Sequence, residues 1–216
     1  MPASRARSFR LLLIKPSHYD DDGYLIQWWR SSLPSNSLAT VYGIALNCVA
    51  QQPLGPKVEI ELHAIDETNT RVRPGRIMRD IRRAGGQALI CLIGVQSNQF
   101  PRALDLARQF RADGHPVIIG GFHVSGCLAM LQETPRELID AQEAGVSLFA
   151  GELEGHLGRL IQDAAAGALK PVYDHLNDLP DLTDQPTPYL PPDRVRRTMG
   201  KRASFDAGRG CPYLCS

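Results

Sequence analysis

Five short stretches of this chain hold residue types that can do chemistry. Near the C-terminus, Cys211-Pro212-Tyr213-Leu214-Cys215 places two thiols three residues apart. Thiolates take zinc or iron–sulfur clusters, and an isolated pair at this spacing leaves those choices, and chance, open. In the middle of the chain, the β-branched run Val117-Ile118-Ile119 stops at Gly120-Gly121, with His123 two residues on. A second apolar run ends in Gly151-Glu152-Leu153-Glu154. Lys15-Pro16 and Ser97 stand at the ends of two further apolar runs. Glycine at the end of a strand lets a ligand approach the backbone, where free N–H groups hold polar or anionic groups. The same glycines can also serve a tight βα turn that binds nothing.

The elements that must position these residues follow from hydropathy spacing. Phe9–Ile14 reads as a first strand, and the next is Val58–Ile65. There Val58, Ile60 and Leu62 alternate with Glu59 and Glu61, as expected of a half-exposed edge strand. Ala88–Val95 is continuously apolar, as in a central strand covered on both faces. Pro116–Ile119 and Val146–Ala150 complete five strands. The intervening stretches carry helical spacing. Leu38, Val41, Tyr42, Ala45, Leu46 and Val49 form one stripe, with Ser37 as the candidate cap. Ile77, Met78 and Ile81 follow Pro74; Phe100, Ala103, Leu104, Ala107 and Phe110 form a third stripe. Ser125-Gly126 and the capping box Thr134-Pro135-Arg136-Glu137 are the next helix starts. Leu157, Leu160, Ile161 and Ala164 mark the last helix.

Strict β-α alternation predicts a doubly wound parallel sheet with right-handed crossovers. Five strands with an acidic edge strand second in sequence suit the flavodoxin-like (Rossmann-like) order 2-1-3-4-5. The crevice of that order opens where strands 1 and 3 diverge. Lys15-Pro16, Ser97, Gly120-Gly121 with His123, and Gly151-Glu152 all reach it from separate loops. The connection Lys15–Asn36 is long for a compact domain. It carries His18, Asp20–Asp22 and Trp28-Trp29, with the aspartates read as a solvated turn and the tryptophans as a loop anchor. From Lys170 the chain becomes proline-rich and loses periodicity, so residues 1–169 read as the domain and 170–204 as a linker or arm.

Composition excludes several classes. A net charge of +1 argues against bulk attraction to nucleic acid. The apolar run after Arg5, Arg7 and Arg10 is four residues, too short for a signal peptide. No stretch approaches the roughly 18 apolar residues of a membrane span. Five cysteines, with Cys48, Cys91 and Cys127 in apolar settings, fit reduced thiols and a cytoplasmic location.

Ala207-Gly-Arg-Gly-Cys211-Pro-Tyr-Leu-Cys215 resembles the opening of the C-x-x-x-C-x-x-C signature of radical S-adenosylmethionine proteins. With the proline-rich linker and the α/β domain before it, the whole chain looks like the front half of a cobalamin-dependent member of that family. Residues 205–216 would be the start of its catalytic barrel. The resemblance implies that Cys211 and Cys215 ligate a [4Fe–4S] cluster that chelates S-adenosylmethionine, with a third cysteine belonging at position 218. It implies that Lys15, Pro16, Ser97, Gly120, Gly121, His123, Gly151 and Glu152 contact cobalamin. The reaction implied is methyl transfer or related radical chemistry on a small or lipid-like substrate held by the barrel, with the chain by itself inactive. The D-x-H-x-x-G motif, whose histidine binds cobalt in other cobalamin proteins, is absent, so no histidine is assigned to cobalt.

The alternative is a flavodoxin-like nucleotide-binding or signalling module without catalysis. A receiver-type module needs an acidic residue where strand 1 ends, and this chain has Lys15-Pro16. Neither G-x-x-x-x-G-K-[ST] nor G-x-G-x-x-G after strand 1 is present.

Two thiolates where three are needed yield a direct expectation for the 216 residues. Anaerobic reconstitution with iron and sulfide should leave them without a four-iron cluster, as read by iron counting and the visible spectrum.

Overall fold

A computed structural model describes residues 7–199, so Cys211 and Cys215, expected to ligate a cluster, lie outside the described residues. The elements run β1 (Arg7–Lys15), α1 (Asn36–Ala50), β2 (Val58–Asp66), α2 (Pro74–Arg83) and β3 (Gln87–Leu92). A 3-10 turn (Ser97–Gln99) then leads into α3 (Phe100–Ala112), β4 (Val117–Gly120), α4 (Phe122–Met130) and α5 (Arg136–Glu143). After these come β5 (Ser147–Gly151), α6 (Leu157–Ala165), β6 (Val172–His175) and the short α7 (Pro192–Val195).

All strands are parallel in the order β2-β1-β3-β4-β5-β6. This is the expected flavodoxin-like, doubly wound arrangement with the acidic β2 at one edge and one strand more than expected. Strand alternation splits the core into two layers. Leu12, Ile14, Ile90, Leu92, Val117 and Ile119 face helices α2–α5 on one side of the sheet. Phe9, Leu11, Leu13, Leu89, Cys91 and Ile118 face α1 and α6 on the other. Burial on both faces explains why β3 and β4 are continuously apolar.

The extra strand, β6, falls where the sequence reads as linker. It pairs Val172–His175 with Leu148–Gly151. Four residues are too few for a periodic signal, and their partner decides their state. The expectation of right-handed crossovers fails at the same place. Helix α6 packs beside α1, on the opposite face from α2–α5, yet β6 lies outward of β5. The β5-α6-β6 connection therefore has the opposite hand to the four before it, a rare arrangement. Without α6, only α1 would cover that face of a six-stranded sheet.

Smaller differences have local causes. Ser35, not Ser37, caps α1, its Oγ accepting from the Leu38 N–H at 3.2 Å. The buried face of α1 includes Ile44 and Cys48, while Leu46 is exposed. Helix α4 begins at Phe122, directly after Gly121, instead of at Ser125-Gly126. The capping box at Thr134 does not form; Pro135 occupies the cap position of α5 with no side-chain cap.

Beyond β6 the chain is laid as an arm across the α1 face. The Tyr189 N–H donates to the Ala39 carbonyl at 3.0 Å, and the Tyr189 ring lies 6.0 Å from that of Tyr42. Helix α7 packs on β2, and Ser31 and Thr198 form a parallel bridge. Gly43 permits the crossing, because a Cβ there would stand 2.6 Å from the Thr187 carbonyl oxygen. Gly43→Ala raises helix propensity by about 1 kcal/mol but pushes the arm off. The expected outcome is faster proteolytic cleavage within residues 176–190, with the melting temperature of the domain nearly unchanged.

Candidate functional site

The chain leaves β1 toward α1 on one face and leaves β3 toward α3 on the other. The loops after these neighbouring strands therefore part, which is where open α/β sheets hold ligands. Beneath the parting lies a cavity of about 240 Å³ on the α1/α6 side. Its floor is Leu13, Cys91, Ile93, Ile118 and Phe149. One wall is α1, through Ser37, Thr40, Val41 and Ile44; the other is α6, through Leu157 and Leu160. The rim is Gly94, Gly120, Gly121, Gly151 and Glu152. Burial pushes the Cys91 thiol up to about 12, so this wall is uncharged at neutral pH. The site can enclose a flat apolar group, with the Ser37 and Thr40 hydroxyls as its polar contacts from α1.

The rim glycines answer to the protein's own backbone. Gly121 has φ +141°, and a Cβ there would collide with the backbone nitrogen of Val95 and stand 2.8 Å from the Gly94 carbonyl carbon. Gly151 has φ +101° and is pressed against the His175 carbonyl. Gly94, at φ +60°, leaves only 2.7 Å between its missing Cβ and that of Ser37. Glycine here lets neighbouring loops stack and so shapes the rim, instead of clearing space for a ligand.

Of the residues expected to gather at the crevice, Gly120, Gly121, Gly151 and Glu152 line the cavity. Ser97 and His123 meet each other elsewhere. Helix α4 starts early enough that His123 turns toward α3 and α5, on the opposite face of the sheet from α1 and α6. Its Nδ1 lies 3.1 Å from Ser97 Oγ and its Nε2 2.8 Å from Glu137 Oε1, with the ring 4.5 Å from that of Phe100. Cys127 Sγ is 3.9 Å from both ring nitrogens. Pro16 is buried just after β1, and Lys15 borders a separate space with Trp28, Arg30 and Met199.

The long loop after β1 is anchored by polar groups. Glu67 is fully buried and accepts two hydrogen bonds from Arg102, at 2.6 and 3.1 Å, and one from the Ser17 N–H at 3.2 Å. Tyr19 donates to Asp105 at 2.7 Å. Asp20 closes the aspartate turn by accepting from the N–H groups of Asp22 and Tyr24. The tryptophans do not anchor the loop: Trp28 is 65% and Trp29 85% exposed, with the Arg30 guanidinium 4.7 Å from the centre of a Trp29 ring.

Sequence reasoning missed both helical walls of the cavity. Ser37, Thr40, Val41 and Ile44 sit at positions 0, 3, 4 and 7 of a helical face that mixes hydroxyls with aliphatics. That mixture was the available signal. The fold and crevice define a doubly wound α/β domain with a ligand-sized cavity at its switch point. No protein-family model, curated protein or solved structure matches the chain.

The backbone clash at Gly121 sets a stability expectation. Gly121→Ala should destabilise the domain by about 2–4 kcal/mol, combining a strained φ with overpacking. Urea denaturation measures it, and unchanged stability would mean the rim is looser than described.

Proposed function

We propose that this chain is the cobalamin-binding module of a radical S-adenosylmethionine enzyme whose chemistry is methyl transfer or a related radical reaction. The observation that carries the proposal is the apolar cavity under the switch point, rimmed by Gly120, Gly121, Gly151 and Glu152. Its size limits what part of the cofactor it could take. Drug-sized ligands occupy pockets of about 300–1,000 Å³. At about 240 Å³, this cavity holds one ring system. The base of the nucleotide tail would lie between α1 and α6, and the rest of the cofactor, corrin included, would stay outside the cavity, over the C-terminal edge of the sheet.

Within this reading Val41, Ile44, Leu157 and Leu160 hold the tail's apolar faces, and Ser37 and Thr40 meet its polar atoms. Cobalamin supplies a cobalt-borne methyl group when bound. The protein's part is to exclude water from the tail and to orient the corrin. His123 has both ring nitrogens engaged, by Ser97 and Glu137, and has no part in cobalt ligation in this reading. The described chain ends at Met199, against Ser31 and beside Lys15 at the C-terminal ends of β1 and β2.

The test is ligand-dependent melting. A ligand that binds only the folded state adds about 2.7 kcal/mol at a hundredfold excess over its Kd. For a chain of this size that is a rise of roughly 5–11 °C. Hydroxocobalamin or methylcobalamin should produce it, with a base-off visible spectrum, and flavin mononucleotide should not. Val41→Phe narrows the cavity from the helix side and should abolish the shift while leaving the unliganded melting point near that of the parent. A shift with flavin and none with cobalamin would favour the nucleotide-module reading instead.

A further inference from the structure

A second cluster lies beside the crevice, at the outer end of the sheet. His156 caps the N-terminus of α6, His175 is the last residue of β6, and Asp178 sits in the turn that follows. The Asp178 N–H donates to the His175 carbonyl at 3.1 Å, which folds the carboxylate back over the strand end. One oxygen, Asp178 Oδ2, is then 3.1 Å from His175 Nδ1 and 3.6 Å from His156 Nε2. The two imidazoles stack with centroids 3.7 Å apart and planes 24° from parallel. Phe149 closes the inner side, its ring centroid 5.5 Å from that of His175 and 6.3 Å from that of His156. The tight seat of Gly151 on the His175 carbonyl brings β6 close enough to β5 for this meeting.

We propose that His156, His175 and Asp178 form a site for a divalent transition metal of the zinc class. All three donor atoms lie within 4.8 Å of one another. A tetrahedron with bonds of about 2.1 Å has edges of about 3.4 Å. The two nitrogen-to-carboxylate distances, 3.1 and 3.6 Å, bracket that edge, and binding requires the two rings to swing out of their stack so that both nitrogens aim at one ion. Two imidazoles and one carboxylate are the donors that zinc, cobalt and nickel accept. Asp178 is 64% exposed on its side chain, so the outer side is open for water as a further ligand.

This site is independent of cobalamin and is tested without it. The untagged full chain is titrated with Co²⁺ alone, followed by absorption spectroscopy, and with Zn²⁺ by calorimetry. The expected result is one ion per chain, a Co²⁺ spectrum free of sulfur-to-metal charge transfer, and a raised melting temperature. His175→Ala should weaken binding more than about tenfold, since loss of an outer-shell partner alone costs 10–100-fold. Asp178→Asn, at an exposed turn position that leaves the fold intact, should also weaken it. Three results would overturn the proposal: no binding, a thiolate spectrum that places the ion on cysteine, or affinity unchanged in both variants.

Discussion

The crevice depends on a backbone contact between the ends of β3 and β4. The Val95 N–H donates to the Gly120 carbonyl at 3.1 Å, and the His123 N–H donates to the Val95 carbonyl at 3.0 Å. These bonds continue the parallel pairing past the last residues of both strands and satisfy groups that the loop would otherwise bury unpaired. They require a residue with no Cβ at Gly121. Once that contact is made, the start of α4 is set, His123 is turned to the α3/α5 side, and Gly94 is brought against Ser37 at the mouth of the cavity. The opening on the α1 side is what remains.

The loop after β1 depends on a different interaction, the buried pair of Glu67 and Arg102. A buried ion pair adds little net stability, but loss of one partner costs about 3–5 kcal/mol because the other charge stays behind. Its consequence here is positional. Arg102 comes from α3, Glu67 follows β2, and Ser17 lies in the loop, so one charge pair ties three segments across the end of β1. With the loop held this way, Trp28 and Trp29 are free to lie at the surface near the crevice edge. The exposed face of Trp28 beside Lys15 and Met199 follows from a polar anchor standing where an apolar one was expected.

Much of this was legible in local patterns. Alternating acids in β2 marked an edge strand, continuous apolar runs marked β3 and β4, and helical spacing placed α2, α3 and α6. Asp20–Asp22 read correctly as a turn, because short acceptor side chains bond their own neighbouring N–H groups. The glycines at 94, 120, 121 and 151 were visible as strand ends. Their reason was not visible, since the atoms that exclude a Cβ from Gly121 and Gly151 belong to Val95 and His175, more than twenty residues away.

By itself the sequence determined which stretches of the first 169 residues carry strand or helix character, that the sheet is parallel, and where most of the turns fall. Those properties depend on burial period and on dihedral preferences, which act over a few residues. Only the tertiary structure decided the existence of β6, because a four-residue edge strand is stabilised by its partner and not by its own pattern. It also decided the reversed hand of the last crossover, since α6 goes to the face that lacks cover. The same holds for the cavity walls of α1 and for the meeting of His156 with His175. A helical stripe states that a face is covered without stating by what, so contacts between distant residues are settled only when the layers close.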